Sequence, residues 1–101
     1  MSRVVTVFRN RLAESSRPAY GTVADEMSAL ARTMPGFVDA KTFTADDGER
    51  VTVVTFADRA THDGWRDHPL HRNAMARGRD EFYETYSIQV ADETYRAEFE
   101  R

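Results

Sequence analysis

Hydrophobic and polar positions divide the chain into six segments. From Val4 to Phe8 the residues are β-branched or aromatic, with Val5 and Val7 on one side of an extended chain and Val4, Thr6 and Phe8 on the other. This predicts a strand that is apolar on both faces. Glu14-Ser15-Ser16-Arg17-Pro18 supplies polar capping groups and a proline suited to a first helical turn. Tyr20, Val23, Ala24, Met27, Leu30, Ala31 and Met34 then recur at three- and four-residue steps, while Asp25, Glu26, Ser28 and Arg32 point away, so an amphipathic helix ends at Pro35-Gly36. Phe37 to Thr44 alternates loosely, with Phe37, Asp39, Lys41 and Phe43 opposing Val38, Ala40 and Thr42. Asp46-Asp47-Gly48 turns the chain into a return strand from Arg50 to Phe56. Asp58 and Thr61 can cap a second helical region, broken by Pro69 into two short helices and ending at Gly78. Tyr83 to Val90 alternates again, with Tyr86, Ile88 and Val90 on one face, before a charged tail that carries Tyr95 and Phe99.

The order strand, helix, strand, strand, helix, strand predicts an α+β, ferredoxin-like βαββαβ fold, with a four-stranded antiparallel sheet and the helices on one face. No repeat or linker interrupts residues 1–101, which read as one domain. Two helices cover only one side of such a sheet, yet the Val4 to Phe8 and Val51 to Phe56 segments are apolar on both sides. The other face would expose more apolar surface than soluble monomers usually carry, so a homodimer in the form of a dimeric α/β barrel is expected.

Composition narrows the chemistry. The absence of cysteine removes disulfides, thiolate nucleophiles and cysteine-bound metal centres. A formal net charge of -3, with Lys41 as the single lysine, argues against a nucleic-acid partner. No apolar run approaches membrane-spanning length and the N-terminus lacks an export-type stretch, so a cytoplasmic protein with no membrane partner is expected. Phosphate loops, nucleophile elbows and dinucleotide glycine patterns are missing.

Four short motifs carry a resemblance. Met34-Pro35-Gly36-Phe37, Asp47-Gly48-Glu49-Arg50-Val51, the run Thr61-His62-Asp63-Gly64-Trp65-Arg66-Asp67-His68-Pro69-Leu70-His71, and Gly78-Arg79-Asp80 resemble the antibiotic biosynthesis monooxygenase family over nearly the whole chain. The resemblance implies a homodimer with one pocket per subunit. It also implies oxidation of an aromatic, quinol or polyketide-like small molecule by dioxygen, with no metal or organic cofactor. In that chemistry the protein deprotonates a phenol-like substrate in a dry cavity, and the resulting anion itself donates an electron to dioxygen. Alternatives are a noncatalytic small-molecule-binding module and a haem-degrading branch of the same family. The haem pattern places an asparagine late in the first strand, a tryptophan in the second helical region and an iron-ligating histidine further along it. Trp65 matches, but Phe8 or Arg9 stands where the asparagine is expected and Ala74 and Met75 stand where the histidine would be, with Asn10 and His71 displaced from those positions.

Within this frame His68 and His71 are the candidate proton-handling residues, because imidazole titrates near neutral pH. A surface or capping role would suit either ring equally. Trp65 could wall a substrate pocket or anchor the second helical region. Tyr86, which shares a face with Ile88 and Val90, and Tyr20 could donate hydrogen bonds to substrate, as could Tyr83. Arg72, with Arg66, Arg77 and Arg79, could form a cationic mouth for an anionic substrate or simply a solvated helix face. A zinc or iron site from His62, His68 and His71 is not favoured, because Pro69 disturbs the helical alignment and no acidic partner is fixed.

Overall fold

A computed structural model describes residues 2–101, apart from the side chains of Ser16 and Arg17. The helix-capping group expected at Ser16 therefore lies outside the described residues. Strands β1 (Val4–Leu12), β2 (Phe37–Thr44), β3 (Arg50–Phe56) and β4 (Tyr83–Asp92) form one antiparallel sheet in the order β2-β3-β1-β4. This is the ferredoxin-like arrangement that the pattern predicts. Both strands that are apolar on two faces, β1 and β3, occupy the middle.

The register defines the faces. Val4, Thr6, Phe8 and Asn10 stand opposite Phe56, Val54, Thr52 and Arg50, and these residues form the inner face, toward the helices. Val5, Val7, Val51 and Val53 point outward. Strand β1 runs on beyond Phe8, where the hydrophobic pattern stops, because its outward Arg9 and Arg11 meet Glu49 and Asp47 of the hairpin at 2.7 Å each. One expectation fails at the start of β2. Phe37 pairs with Phe56 but Asp39 pairs with Thr55, so Val38 is an inserted residue that shifts the register. The bulge takes Phe37 off the face shared by Asp39, Lys41 and Phe43 and sets its ring edge-on against Phe56 at 5.9 Å.

Helices α1 (Arg17–Thr33), α2 (Arg59–Arg66) and α3 (Pro69–Arg77) all cover the inner face. On α1, Val23 and Ala31 are buried and Tyr20, Met27 and Leu30 half-buried, while Asp25, Glu26 and Arg32 are exposed, as the three- and four-residue spacing requires. Asp58 and Thr61 close a reciprocal capping box on α2: the Thr61 amide donates to Asp58 Oδ1 at 2.9 Å and the Asp58 amide to Thr61 Oγ1 at 3.4 Å. A π-helical turn, Gly78–Phe82, then swings the chain into β4. Gly78 is required there, because a Cβ would run into the Tyr83 ring.

Aromatic side chains close the two ends of the space between sheet and helices. At one end Trp65 stacks on Phe56 at 6.3 Å, with Phe37 and Ala31 beside them. At the other, Tyr20 meets Phe82 and Tyr83 edge-on, at 5.7 Å each, and Phe8 meets Tyr83 at 5.3 Å. No helix among the described residues is long and apolar enough to cross a membrane.

The connection from α1 to β2 fixes where α2 begins. Gly36 has φ +79° and a Cβ there would strike Thr61 of the capping box, whereas Gly48 has φ +90° in open space. Gly48→Ala should therefore cost only the left-handed backbone penalty, about 1–2 kcal/mol. Gly36→Ala adds an overpacking term and should cost about 3 kcal/mol or more. Urea denaturation of the two variants checks this; equal losses would show that Gly36 and Thr61 are not in close contact.

Candidate active site

Between the aromatic ends lies a cavity of about 520 Å³, within the range of small-molecule sites. Its floor is the inner sheet face, with Thr6, Thr52 and Val54, and α1 roofs it with the small Ala24, Ser28 and Ala31 beside Val23 and Met27, so that Ser28 and Arg32, expected to point away, border the cavity. Short side chains meet across this gap and cannot fill it. The lining is mostly apolar, with His62 and His71 near one end and Tyr20, Tyr83 and Arg50 near the other.

Trp65, His62 and His71 border the cavity where α2 and α3 meet. Trp65 is 9% exposed and lies between Phe56 and His71, whose ring centroid is 4.1 Å from its own. It is core anchor and cavity wall at once. His71 Nδ1 lies 3.1 Å from the Arg66 carbonyl oxygen. A carbonyl only accepts, so Nδ1 carries the proton and Nε2 holds the free lone pair. Burial lowers the His71 pKa from the ordinary histidine value, against an upward pull from the Arg66 carbonyl. At neutral pH the ring is thus an uncharged proton acceptor.

His62 is only 4% exposed, and its Nδ1 donates to the Asp63 carboxylate at 2.8 Å. Sequence reasoning weighed His62 only as a metal ligand. Its spacing of three residues from Trp65 on one helix was the signal that it shares the inward face. The three histidines do not converge: among the described residues no group of three or more His, Asp or Glu side chains is placed to hold a metal ion.

At the far end Tyr20 and Tyr83 border the cavity together with Arg50. Burial, helped by the neighbouring Tyr20 hydroxyl, pushes the Tyr83 pKa far above the ordinary phenol range. Tyr83 stays neutral at any physiological pH, with its hydroxyl proton directed at Tyr20.

Three expected site residues lie elsewhere. His68 is not in the cavity wall; Pro69 opens α3 and makes His68 its N-cap, with Nδ1 accepting the Leu70 N–H at 3.1 Å. Arg72 follows His71 on α3, turned about 100° from it, and is exposed outside the cavity. Tyr86 is 40% exposed on the edge strand and packs against Phe8 and Tyr83, at 5.8 Å each, without bordering the cavity.

The haem arrangement does not fit these residues. Positions 74 and 75 do line the cavity, but they are alanine and methionine, and neither is a histidine ligand. Asn10 is 1% exposed and does not border the cavity.

Comparison with known proteins agrees with this architecture. The family profile described as antibiotic biosynthesis monooxygenase matches residues 3–77. The uncharacterized protein YqjZ of Bacillus subtilis (strain 168) is 35% identical over 72 residues, which cover 71% of this chain and 63% of that protein. The chain thus spans less than two thirds of that relative's length. Rv0793 from Mycobacterium tuberculosis shares the fold at a TM-score of 0.84 and 21% identity, over 96% of this chain and 100% of that one. SnoaB, a cofactor-independent oxygenase from Streptomyces nogalater, superposes with a TM-score of 0.79 and 16% identity over 100% of both chains. The profile spans most of the chain, and the fold agrees with it: the chain belongs to the antibiotic biosynthesis monooxygenase family.

Proposed function

We propose that this protein is a cytoplasmic, homodimeric monooxygenase that oxidises an aromatic, quinol-type or polyketide-like small molecule with dioxygen, without a metal or organic cofactor. The observation that carries this reading is the state of His71. Its Nδ1–H is held by the Arg66 carbonyl, burial keeps the ring neutral, and the imidazole forms part of an apolar cavity wall beside Trp65. Family membership, and the fold shared with a cofactor-independent oxygenase, support the reaction class.

In the mechanism, His71 Nε2 takes the proton of a phenol or enol, and the anion spreads over the aromatic system. Tyr83, held neutral by burial, donates its hydroxyl proton to Tyr20, which leaves the Tyr20 hydroxyl as the donor for a substrate oxygen. Apolar walls exclude water and strengthen such fixed hydrogen bonds. The electron-rich anion passes an electron to dioxygen, and the radical pair joins to form a C–O bond. At an anthrone-type methylene the O–O bond then breaks: one oxygen stays as the ring carbonyl, and the other leaves as water with the two displaced hydrogens.

The dimer follows from the outer sheet face. Val5, Val7, Val51 and Val53 are half-buried by their strand neighbours alone, and Phe43 beside them is 52% exposed. No helix covers them. Packing this face against a second copy removes the strip from water, and the Arg9–Glu49 and Arg11–Asp47 pairs frame it with charge.

With 1,8-dihydroxyanthrone as probe, His71→Ala should slow oxygen consumption by 10²-fold or more, while His68→Ala should change it less than about two-fold. The wild-type rate should fall on the acid side with a midpoint below 6.5, because protonating Nε2 removes the base and burial holds its pKa down. Folding stability should decline as pH falls through 6.5, since the unfolded chain then binds the proton more readily, and level off once the folded His71 is also protonated. Undiminished turnover in His71→Ala, or anthrone bound without turnover by the wild type, contradicts the assignment.

Val53→Glu places a carboxylate in the outer strip, whereas Val54 faces the cavity. Val53→Glu should give folded monomers or unfolded chains in analytical ultracentrifugation at micromolar concentration, against dimers for the wild type. A wild-type monomer, or a fully dimeric variant, would remove the packing argument.

A further inference from the structure

The end of the cavity away from His71 holds a cation without an anion. Arg50 opens β3 on its inner face, half-buried, with its guanidinium carbon 4.9 Å from the Tyr20 ring centroid. Among the described residues no carboxylate lies within ion-pair distance of it. The nearby acids are already engaged on the other side of the sheet, Glu49 by Arg9 and Asp47 by Arg11.

The other arginines of the cavity wall differ. Arg66 is neutralised by Asp63 at 3.3 Å and Asp67 at 2.9 Å. Arg32 is exposed, donates to the Ala40 carbonyl at 3.3 Å and lies over the Phe37 ring. Arg50 alone combines partial burial, an open side on the cavity and no counter-charge. Its surroundings supply further donors. The hydroxyls of Tyr20 and Tyr83 share this end of the cavity, whereas the amide of Asn10, paired with Arg50 across the strands, is buried behind the wall with neither Nδ2 nor Oδ1 hydrogen-bonded. Leaving a buried amide unpaired costs about 1–3 kcal/mol. That cost falls on Asn10 alone, and the capacity to bind an anion rests on Arg50.

We propose that Arg50 is a specificity-determining residue that anchors a carboxylate on the aromatic substrate, at the end of the molecule opposite the ring deprotonated by His71. A planar guanidinium matches a carboxylate through two parallel N–H···O bonds, and its place over the Tyr20 ring, 4.9 Å from the centroid, tethers it at the cavity wall. The spacing suits an elongated ligand. Six residue steps along β3 separate Arg50 from Phe56, roughly 20 Å between Cα atoms at 3.3 Å per residue, and the side chains at both ends reach inward. The substrate class becomes an aromatic acid with several fused rings. This inference rests on the reading of the cavity as an aromatic-substrate site.

Trp65 is the single tryptophan and borders the cavity, so its fluorescence reports binding directly. Quenching titrations at pH 7 with anthraquinone-2-carboxylate and its methyl ester should show the acid bound at least ten-fold more tightly by the wild type. Arg50→Gln should bring the two affinities within about two-fold of each other, and Arg50→Lys should keep part of the preference. Acid and ester bound equally by the wild type, a preference that survives Arg50→Gln, or no binding of either probe would overturn the anchor. Because this is a binding readout, it separates from the oxygenase reading. An acid preference abolished by Arg50→Gln in a protein that consumes no oxygen leaves the anchor standing, and anthrone oxidation without any acid preference leaves only the oxygenase.

Discussion

The structure depends on a mismatch in side-chain size across one interface. A sheet and a helical layer pack to crystal-like density when their facing side chains interdigitate. Here the inner face carries Thr6 and Thr52, and the helix above sets the small Ala24 and Ser28 beside Val23 and Met27, so that larger aromatic residues at the ends hold the layers apart and space is left between them. The buried apolar residues are accordingly few among those described, namely Val4, Val23, Ala31, Phe56, Trp65 and Phe82, and half-buried Met27, Leu30, Met34, Phe37 and Val54 pack around the cluster of Ala31, Phe56 and Trp65. The same arrangement that limits the core creates the chamber.

The polar groups follow from that division. Residues at the Trp65 end are fixed by helix-end chemistry, with the capping box starting α2 and Pro69 starting α3, and this sets His71 against Trp65 with its Nδ1 on the Arg66 carbonyl. Residues at the Tyr20 end are fixed by the sheet register and by the π-helical turn, which bring Arg50, Tyr83 and Phe82 together from distant parts of the chain. A neutral imidazole at one end and a guanidinium at the other make the two ends of the chamber chemically different.

Periodicity made most of the fold legible. The stripe from Tyr20 to Met34, the Asp46-Asp47-Gly48 turn and the doubly apolar Val4 to Phe8 and Val51 to Phe56 runs lead to the observed sheet and helices, because each reflects burial on a definite face. Local exceptions were not legible. Phe37 and Val38 are both apolar, so the pattern could not show which was the inserted residue. The site was legible in part: Trp65, His71 and Tyr20 do border the cavity. His68 does not, since proline at the first helical position commits the preceding residue to capping. Arg50 escaped notice because its role depends on where Glu49 and Asp47 spend their charge, which only the folded hairpin decides.

The most direct test of the size mismatch is thermal unfolding and anthrone oxidation of one protein, Ala24→Leu. Leucine is nearly as good a helix former as alanine, and its side chain would extend from the roof into the chamber. The account predicts a gain on the order of 1–2 kcal/mol, from burying the added carbons in empty space, together with loss of most of the oxidation rate. A variant that is destabilised yet oxidises anthrone at the wild-type rate would show that the space is already filled and that the chemistry, if any, happens elsewhere.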